Sequence, residues 1–220
     1  NPNSPEIVLF SPPGSADPYF AEMGWVGAPV GMAVPGPDTR WTADAEVLTP
    51  DRPLTLTWDN GAGLIFKRIY RIDQDFMFTL TQEVENTGAD PISINPYSVL
   101  ARWGTPKTLG FFILHEGPIA VIDGTLKDLS YKDLAEQGVI KYSTTGGWLG
   151  FTDKYWLGAL IPIQDQRVEA RFIHTRSDNI DKYQADYVGN GQVVPPGGTV
   201  SQQSRLFAGA KQVRLLDRYA

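Results

Sequence analysis

The chain has 220 residues, 42% of them hydrophobic and 20% charged, with a formal net charge of −6 and no cysteine. That is enough apolar content for one large domain with a full core, or for two small ones. An acidic chain without a basic run is a poor match to nucleic acid, and the lack of cysteine excludes thiolate metal sites and thiol catalysis.

The 22 glycines and 17 prolines, with 11% aromatics, suit an all-β chain with many turns. No apolar run approaches the ~18–20 residues of a membrane span, and no secretory signal is visible. The chain opens on Asn1 and closes on Arg218-Tyr219-Ala220 in a helical pattern. It reads as a piece of a longer protein.

In chain order, Asn1–Pro5 is a polar entry, Ile7–Phe10 a short strand and Ser11–Pro18 a loop rich in Pro, Gly and Ser. Tyr19–Val34 mixes apolar residues with Gly and Pro, predicting short strands in irregular chain. Pro35–Asp38 is a turn, and Trp41–Leu48 holds a weak strand. The pattern sharpens from Leu54. Leu54, Leu56 and Trp58 alternate with threonines, which is a half-buried strand. Asp59-Asn60-Gly61 is a hairpin signal, because Asn and Gly accept positive φ, and Leu64–Ile72 is the returning strand. After a turn at Asp73–Asp75, the residues Phe76, Phe78, Leu80, Gln82 and Val84 share one face of a long strand. Asn86–Asp90 turns again, and Ile92–Trp103 continues an antiparallel meander, with a break expected at Pro96.

Gly110–Leu114 and Ile119–Ile122 are further strands, the second closed by Asp123-Gly124, and Leu126–Leu134 allows a single helical turn. Gly146–Pro162 (GGWLGFTDKYWLGALIP) predicts a hairpin on which the rest is organised. Gly146-Gly147 supplies a turn or bulge with positive φ. Trp148–Phe151 is one strand, Thr152–Lys154 the polar turn and Tyr155–Ile161 a buried central strand. Trp148, Tyr155 and Trp156 are expected to anchor the core. Val168–His174, Tyr183–Val188 and Val200–Ala208 complete the strands. Lys211–Ala220 changes to a helical period, with Val213, Leu216 and Ala220 near one face and Leu215 and Tyr219 beside them. The segments 1–53, 54–208 and 209–220 thus read as irregular chain with edge strands, a main sandwich and the start of a connector helix, in one domain.

Constellations for chemistry are sparse. His115-Glu116 could serve proton transfer with a suitable cleft, but neighbours on a strand point to opposite faces, and a turn histidine with a satisfied ring is the plainer reading. His174 stands alone. Neither H-x-H nor H-x-x-x-H spacing occurs, so no metal site is expected. No serine has a G-x-S-x-G setting. Gly61-Ala62-Gly63 and Gly189-Asn190-Gly191 open no helix, so they read as hairpin turns and not as phosphate cradles. Glu83 and Glu85 share the solvated face of their strand. The six tryptophans (Trp25, Trp41, Trp58, Trp103, Trp148 and Trp156) allow a sugar-stacking platform, but core positions suit them better.

GGW-x-G-x-TDKYW-x-x-A-x-IP resembles a segment of the large periplasmic domain of the bacterial membrane-protein insertase YidC. The resemblance extends over nearly the whole chain, through HEGPIAVIDGTL at His115–Leu126, YKDL at Tyr131–Leu134, V-x-N-x-G at Val84–Gly88 and FAGAKQVRLLDRY at Phe207–Tyr219. It implies a twisted antiparallel β-supersandwich like galactose mutarotase, ending in a short α-helix. It also implies a parent in the bacterial inner membrane, with one transmembrane helix before the domain and the insertase core after it. The family's domain begins with strands upstream of Asn1, which this sequence does not include.

The implied role is accessory and non-catalytic, without cofactor, aiding insertion of membrane proteins alone or beside the Sec translocon. The implied partners are the membrane-embedded core, Sec components and nascent membrane proteins. Leu215, Leu216 and Tyr219 are the candidate contacts with the sandwich or the core. The alternative is a carbohydrate-binding or mutarotase-like domain, which would have to build its site from His115, Glu116 and His174.

Overall fold

The computed structural model describes residues 8–108 and 115–211. The chain runs through β1 (Tyr19–Val26), β2 (Thr42–Ala43), β3 (Leu54–Asp59), β4 (Leu64–Ile72), β5 (Met77–Asn86) and β6 (Ile92–Trp103). It continues with β7 (Gly117–Ile122), β8 (Thr125–Asp128), α1 (Tyr131–Gln137), β9 (Val139–Thr145), β10 (Trp148–Thr152) and β11 (Trp156–Ile161). It closes with β12 (Arg167–Ser177), β13 (Ile180–Val188), β14 (Gln192–Val194) and β15 (Thr199–Ala210). Two antiparallel sheets result. One has the order β2-β3-β4-β5-β15-β11-β10-β7-β8; the other is β1-β6-β13-β12-β9, with β14 also on β6. The expected all-β sandwich is present.

The hairpin β10–β11 lies where the sequence places it. Leu149, Phe151 and Leu160 point into the core between the sheets, with Leu80, Leu100, Phe172 and Tyr187. Trp148, Leu157, Ala159 and Ile161 point the other way, into a second cluster with Met77, Ile119 and Phe207. Burial on both faces explains why the strand reads as an unbroken apolar run and not as an alternation. Gly147 (φ +79°) leads into β10, and a Cβ there would stand 2.0 Å from the Val121 carbonyl oxygen. A third cluster gathers Trp25, Phe66, Ile92, Ile94 and Val194, with Trp41 and Trp58 packed against it. Trp25, Trp41 and Trp58 thus pack in one cluster and Trp148 in another, whereas Trp103 and the expected core anchor Trp156 are only half-buried and lie outside all three.

Several expectations are corrected. Tyr155 is 61% exposed, because it belongs to the turn before β11 and not to the buried strand. Phe76 also leaves its expected strand face. It occupies the β4–β5 turn at φ 64°, where the Asp73 carboxylate accepts from the Asp75 and Met77 backbone N–H groups at 2.8 and 2.9 Å. β6 does not extend the meander. The free edge of β5 is taken by β15, in register from Thr199↔Glu85 to Phe207↔Met77, so β6 crosses to the opposite sheet and lies between β1 and β13. No break occurs at Pro96. The pairing of β13 stops at Tyr97 and that of β14 at Ile94, so the residue without an N–H falls in the gap between them. β1 is one regular strand paired with β6 along its length, where irregular chain was expected.

The single helical turn expected in Leu126–Leu134 is instead strand β8 followed by α1. Ser130 caps the helix: its Oγ accepts from the Asp133 N–H at 3.0 Å, and the Asp133 carboxylate accepts from the Ser130 N–H at 3.2 Å. This reciprocal cap satisfies two donors that the first turn leaves open. Gly110–Leu114 and the helix expected over Lys211–Ala220 lie outside the described residues, apart from Lys211.

Gly147→Ala forces a side chain onto backbone in a left-handed conformation. It should cost about 2–3 kcal/mol, read as a lower urea midpoint, whereas truncating exposed Leu126 to alanine should leave the midpoint nearly unchanged. The Ser130 hydrogen bonds, side chain before backbone, hold the Asp133 carboxyl below its usual pKa. A carboxyl depressed in the folded state stabilises it above the unfolded pKa, and loses that contribution as pH falls through the folded pKa. Asp133→Ala should thus lower the melting temperature at pH 7, with the difference from wild type closing below about pH 4.

Candidate functional site

Arg102 on β6 and Asp153 in the β10–β11 turn come from opposite sheets and meet at the rim of the sandwich. The Arg102 Nη1 donates to Asp153 Oδ1 at 2.6 Å, with 17% and 29% of the two side chains exposed. The guanidinium also lies 4.8 Å over the ring of Tyr19. Burial works against its charge, but Tyr131 and Asp153 raise the Arg102 pKa on balance. Burial pushes the hydroxyls of Tyr19 and Tyr131 well above their ordinary range, opposed by Arg102. These hydroxyls stay protonated across the physiological range.

The pair borders a hollow of about 530 Å³, whose wall includes Ser11, Asp17, Trp103, Lys107 and Trp156. Its behaviour follows from the lining: a fixed ion pair, the neutral Tyr19, the charged Asp17 and Lys107 and flanking apolar surface can hold a polar or amphipathic group. α1 contributes from behind, since Tyr131 stacks on Phe151 at 6.2 Å and meets Tyr183 edge-on at 4.6 Å. A second hollow, also about 530 Å³, shares Leu9 and Trp156 with the first and is otherwise lined by the Gln74–Phe76 turn and Phe207–Ala210.

The sequence-predicted residues are elsewhere. The His115 ring contacts the Pro118 carbonyl at 3.0 Å, and its own carbonyl accepts from Lys211 Nζ at 3.0 Å. It is the turn histidine with a satisfied ring. His174 meets Asp181 Oδ1 at 2.9 Å across the β12–β13 hairpin, beneath the Tyr183 ring at 5.1 Å. Neither lines the two hollows. The nearest connection is indirect: the Gly104 N–H donates to the Asp181 carbonyl, and Thr105 Oγ1 hydrogen-bonds the Tyr183 hydroxyl at 2.7 Å. The two histidines are thus not brought to a common site among the described residues. Among the described residues, no three His, Asp or Glu side chains gather to hold a metal ion. Leu215, Leu216 and Tyr219 lie outside the described residues. Sequence reasoning missed Arg102 and Asp153. Their positions are 51 apart, and the only signal was a charged residue inside the apolar stretch Tyr97–Trp103.

A family model for the YidC periplasmic domain matches residues 1–220. The chain belongs to the YidC periplasmic domain family. It is 48% identical over 227 aligned positions to a membrane protein insertase YidC of Methylorubrum extorquens, covering 98% of this chain. It is 47% identical over 221 positions to that of Beijerinckia indica, covering 99%. In each case it spans 36% of the relative's length. Among solved structures it resembles a galactose mutarotase related enzyme from Lactobacillus acidophilus. The TM-score is 0.53 at 10% identity, over 80% of this chain and 74% of that one. A likeness at that identity concerns the fold. Both the family and the supersandwich implied by the Trp hairpin are borne out.

The Arg102–Asp153 pair should be measurable as a coupling between the sheets. In a double-mutant cycle with Arg102→Ala and Asp153→Ala, urea unfolding should give a coupling of about 1–2 kcal/mol, and additive effects would show that the pair holds nothing together.

Proposed function

We propose that this chain is a non-catalytic domain of a membrane-protein insertase. It lies on the periplasmic side of the bacterial inner membrane and aids insertion and folding of membrane proteins, alone or beside the Sec translocon. The observation that carries this reading is the near-complete alignment with proteins named membrane protein insertase YidC. Because those relatives are much longer, the insertion step itself is assigned to the rest of the protein, and this domain supports or positions it.

Among the described residues, the two histidines are held in separate structural contacts. His174–Asp181 is a cross-strand pair behind the Gly104–Thr105 corner, and His115 is engaged by backbone. Leu215, Leu216 and Tyr219 are assigned contact with the membrane-embedded core. Their segment comes after β15 in the sequence, and the last residues of β15 border the hollow lined by Phe76, Trp156 and Phe207.

Replacing Leu215 and Leu216 by Asp in the full-length protein should impair growth of a strain that depends on it, while the circular dichroism of the purified domain stays that of a folded sandwich. Normal growth would remove the assigned contact. Calorimetry of the domain with galactose and glucose should give no saturable heat, and a clear isotherm would favour the carbohydrate-binding alternative.

A further inference from the structure

Two large aromatic side chains stand exposed at one end of the nine-stranded sheet. Phe76 is 59% exposed and Tyr155 is 61% exposed. They occupy the β4–β5 and β10–β11 turns, and the register brings these turns together. Met77 of β5 pairs with Phe207 of β15, and Trp156 of β11 pairs with Ala210 of β15. The two turns therefore flank the end of one strand, two strand spacings apart across the sheet and three residues apart along β15, or about 14 Å in all. Both are tied to it, since the Lys211 N–H donates to the Tyr155 carbonyl at 2.7 Å and the Ala208 N–H to the Phe76 carbonyl at 3.4 Å.

The local chemistry is that of a water–hydrocarbon boundary. Phe76 sits at φ 64°, a conformation that glycine or asparagine accepts more readily than a bulky residue. Asp73 holds the turn that presents it. Beside Tyr155, Lys154 Nζ lies 4.8 Å from the ring centroid. A tyrosine with a neighbouring lysine suits the headgroup layer, where the ring is half-immersed and the ammonium reaches water or phosphate. Asp73, Asp75 and Asp153 share the rim with Lys154 and Lys211, so the surface is mixed in sign, and attraction to anionic lipid is not what it offers. β15 ends at this rim.

We propose that this rim is a bilayer-interface foot, with Phe76 and Tyr155 seated among lipid headgroups. The proposal rests on the reading that the rest of the protein is embedded in a membrane. It adds a direct lipid contact by the sandwich itself, driven by aromatic burial and largely insensitive to salt.

The sequence contains no native cysteine, so a single label can be placed at will. In the full-length protein, with any cysteine elsewhere replaced, Phe76→Cys, Tyr155→Cys and Val193→Cys are each coupled to an environment-sensitive fluorophore. The protein is reconstituted in phosphatidylcholine vesicles carrying nitroxide on the headgroup. Val193 is 63% exposed and lies beside the Ile92 end of β6, about 30 Å along the strand from Trp103 at the hollow. All three sites are exposed, so the labels leave the fold intact.

The labels at positions 76 and 155 should lose most of their fluorescence to the lipid nitroxide, with little change at high salt, and the label at 193 should lose none. Protection of 76 and 155 from a water-soluble quencher without quenching by lipid would mean that protein covers the rim, and would overturn the proposal. So would equal quenching at all three sites. Failure of the full-length protein to enter the vesicles would overturn the membrane reading as well, which separates the two failures.

Discussion

The structure depends on a strand with no solvent face. β11 places Leu160 in the core between the sheets and Leu157, Ala159 and Ile161 in the cluster behind, and each of these side chains is at most 1% exposed. Its neighbours β10 and β15 hydrogen-bond it along both edges. A strand enclosed in four directions leaves little freedom to what surrounds it. Gly150 shows how little: a Cβ there would lie 1.9 Å from the Gly158 carbonyl oxygen of the paired strand.

From this centre the sandwich is closed by a few polar links between the sheets. Arg102 and Asp153 form one at the hollow. Gln82 Nε2 on β5 donates to the Gly24 carbonyl on β1 at 2.8 Å and forms another, fully buried. Such links add direction to apolar packing, which by itself is indifferent to how two sheets slide. The hollow takes its character from the same device. Arg102 and Asp153 are committed to each other there, so at that point the hollow presents a fixed dipole.

Local signals in the sequence were legible and distant ones were not. Leu64–Ile72 reads as a strand residue for residue because alternation and the Asp59–Gly61 turn are both contained in the window. Gly146-Gly147, with φ of 74° and 79°, was legible because few other residues adopt that conformation. The crossing of β6 was not, because it follows from β15 claiming the edge of β5 across more than a hundred residues. Phe76 misled because it fits the period of β5, while the Asp73 side chain closes the turn one residue later. The Ser130 cap was a local signal, with Asp133 three positions on, and weighing it would have extended the helix. The Arg102–Asp153 pair left almost no trace, since the partners are joined only by tertiary packing.

The nine-stranded sheet ends in very short strands. β2 has two residues, and β8 has four, with Lys127 and Asp128 among them. Two-residue and four-residue borders offer few open backbone groups to a passing extended chain, and charge discourages it further. That is a safeguard against association: the broad sheet gives a passing chain little margin on which to add itself as an extra strand.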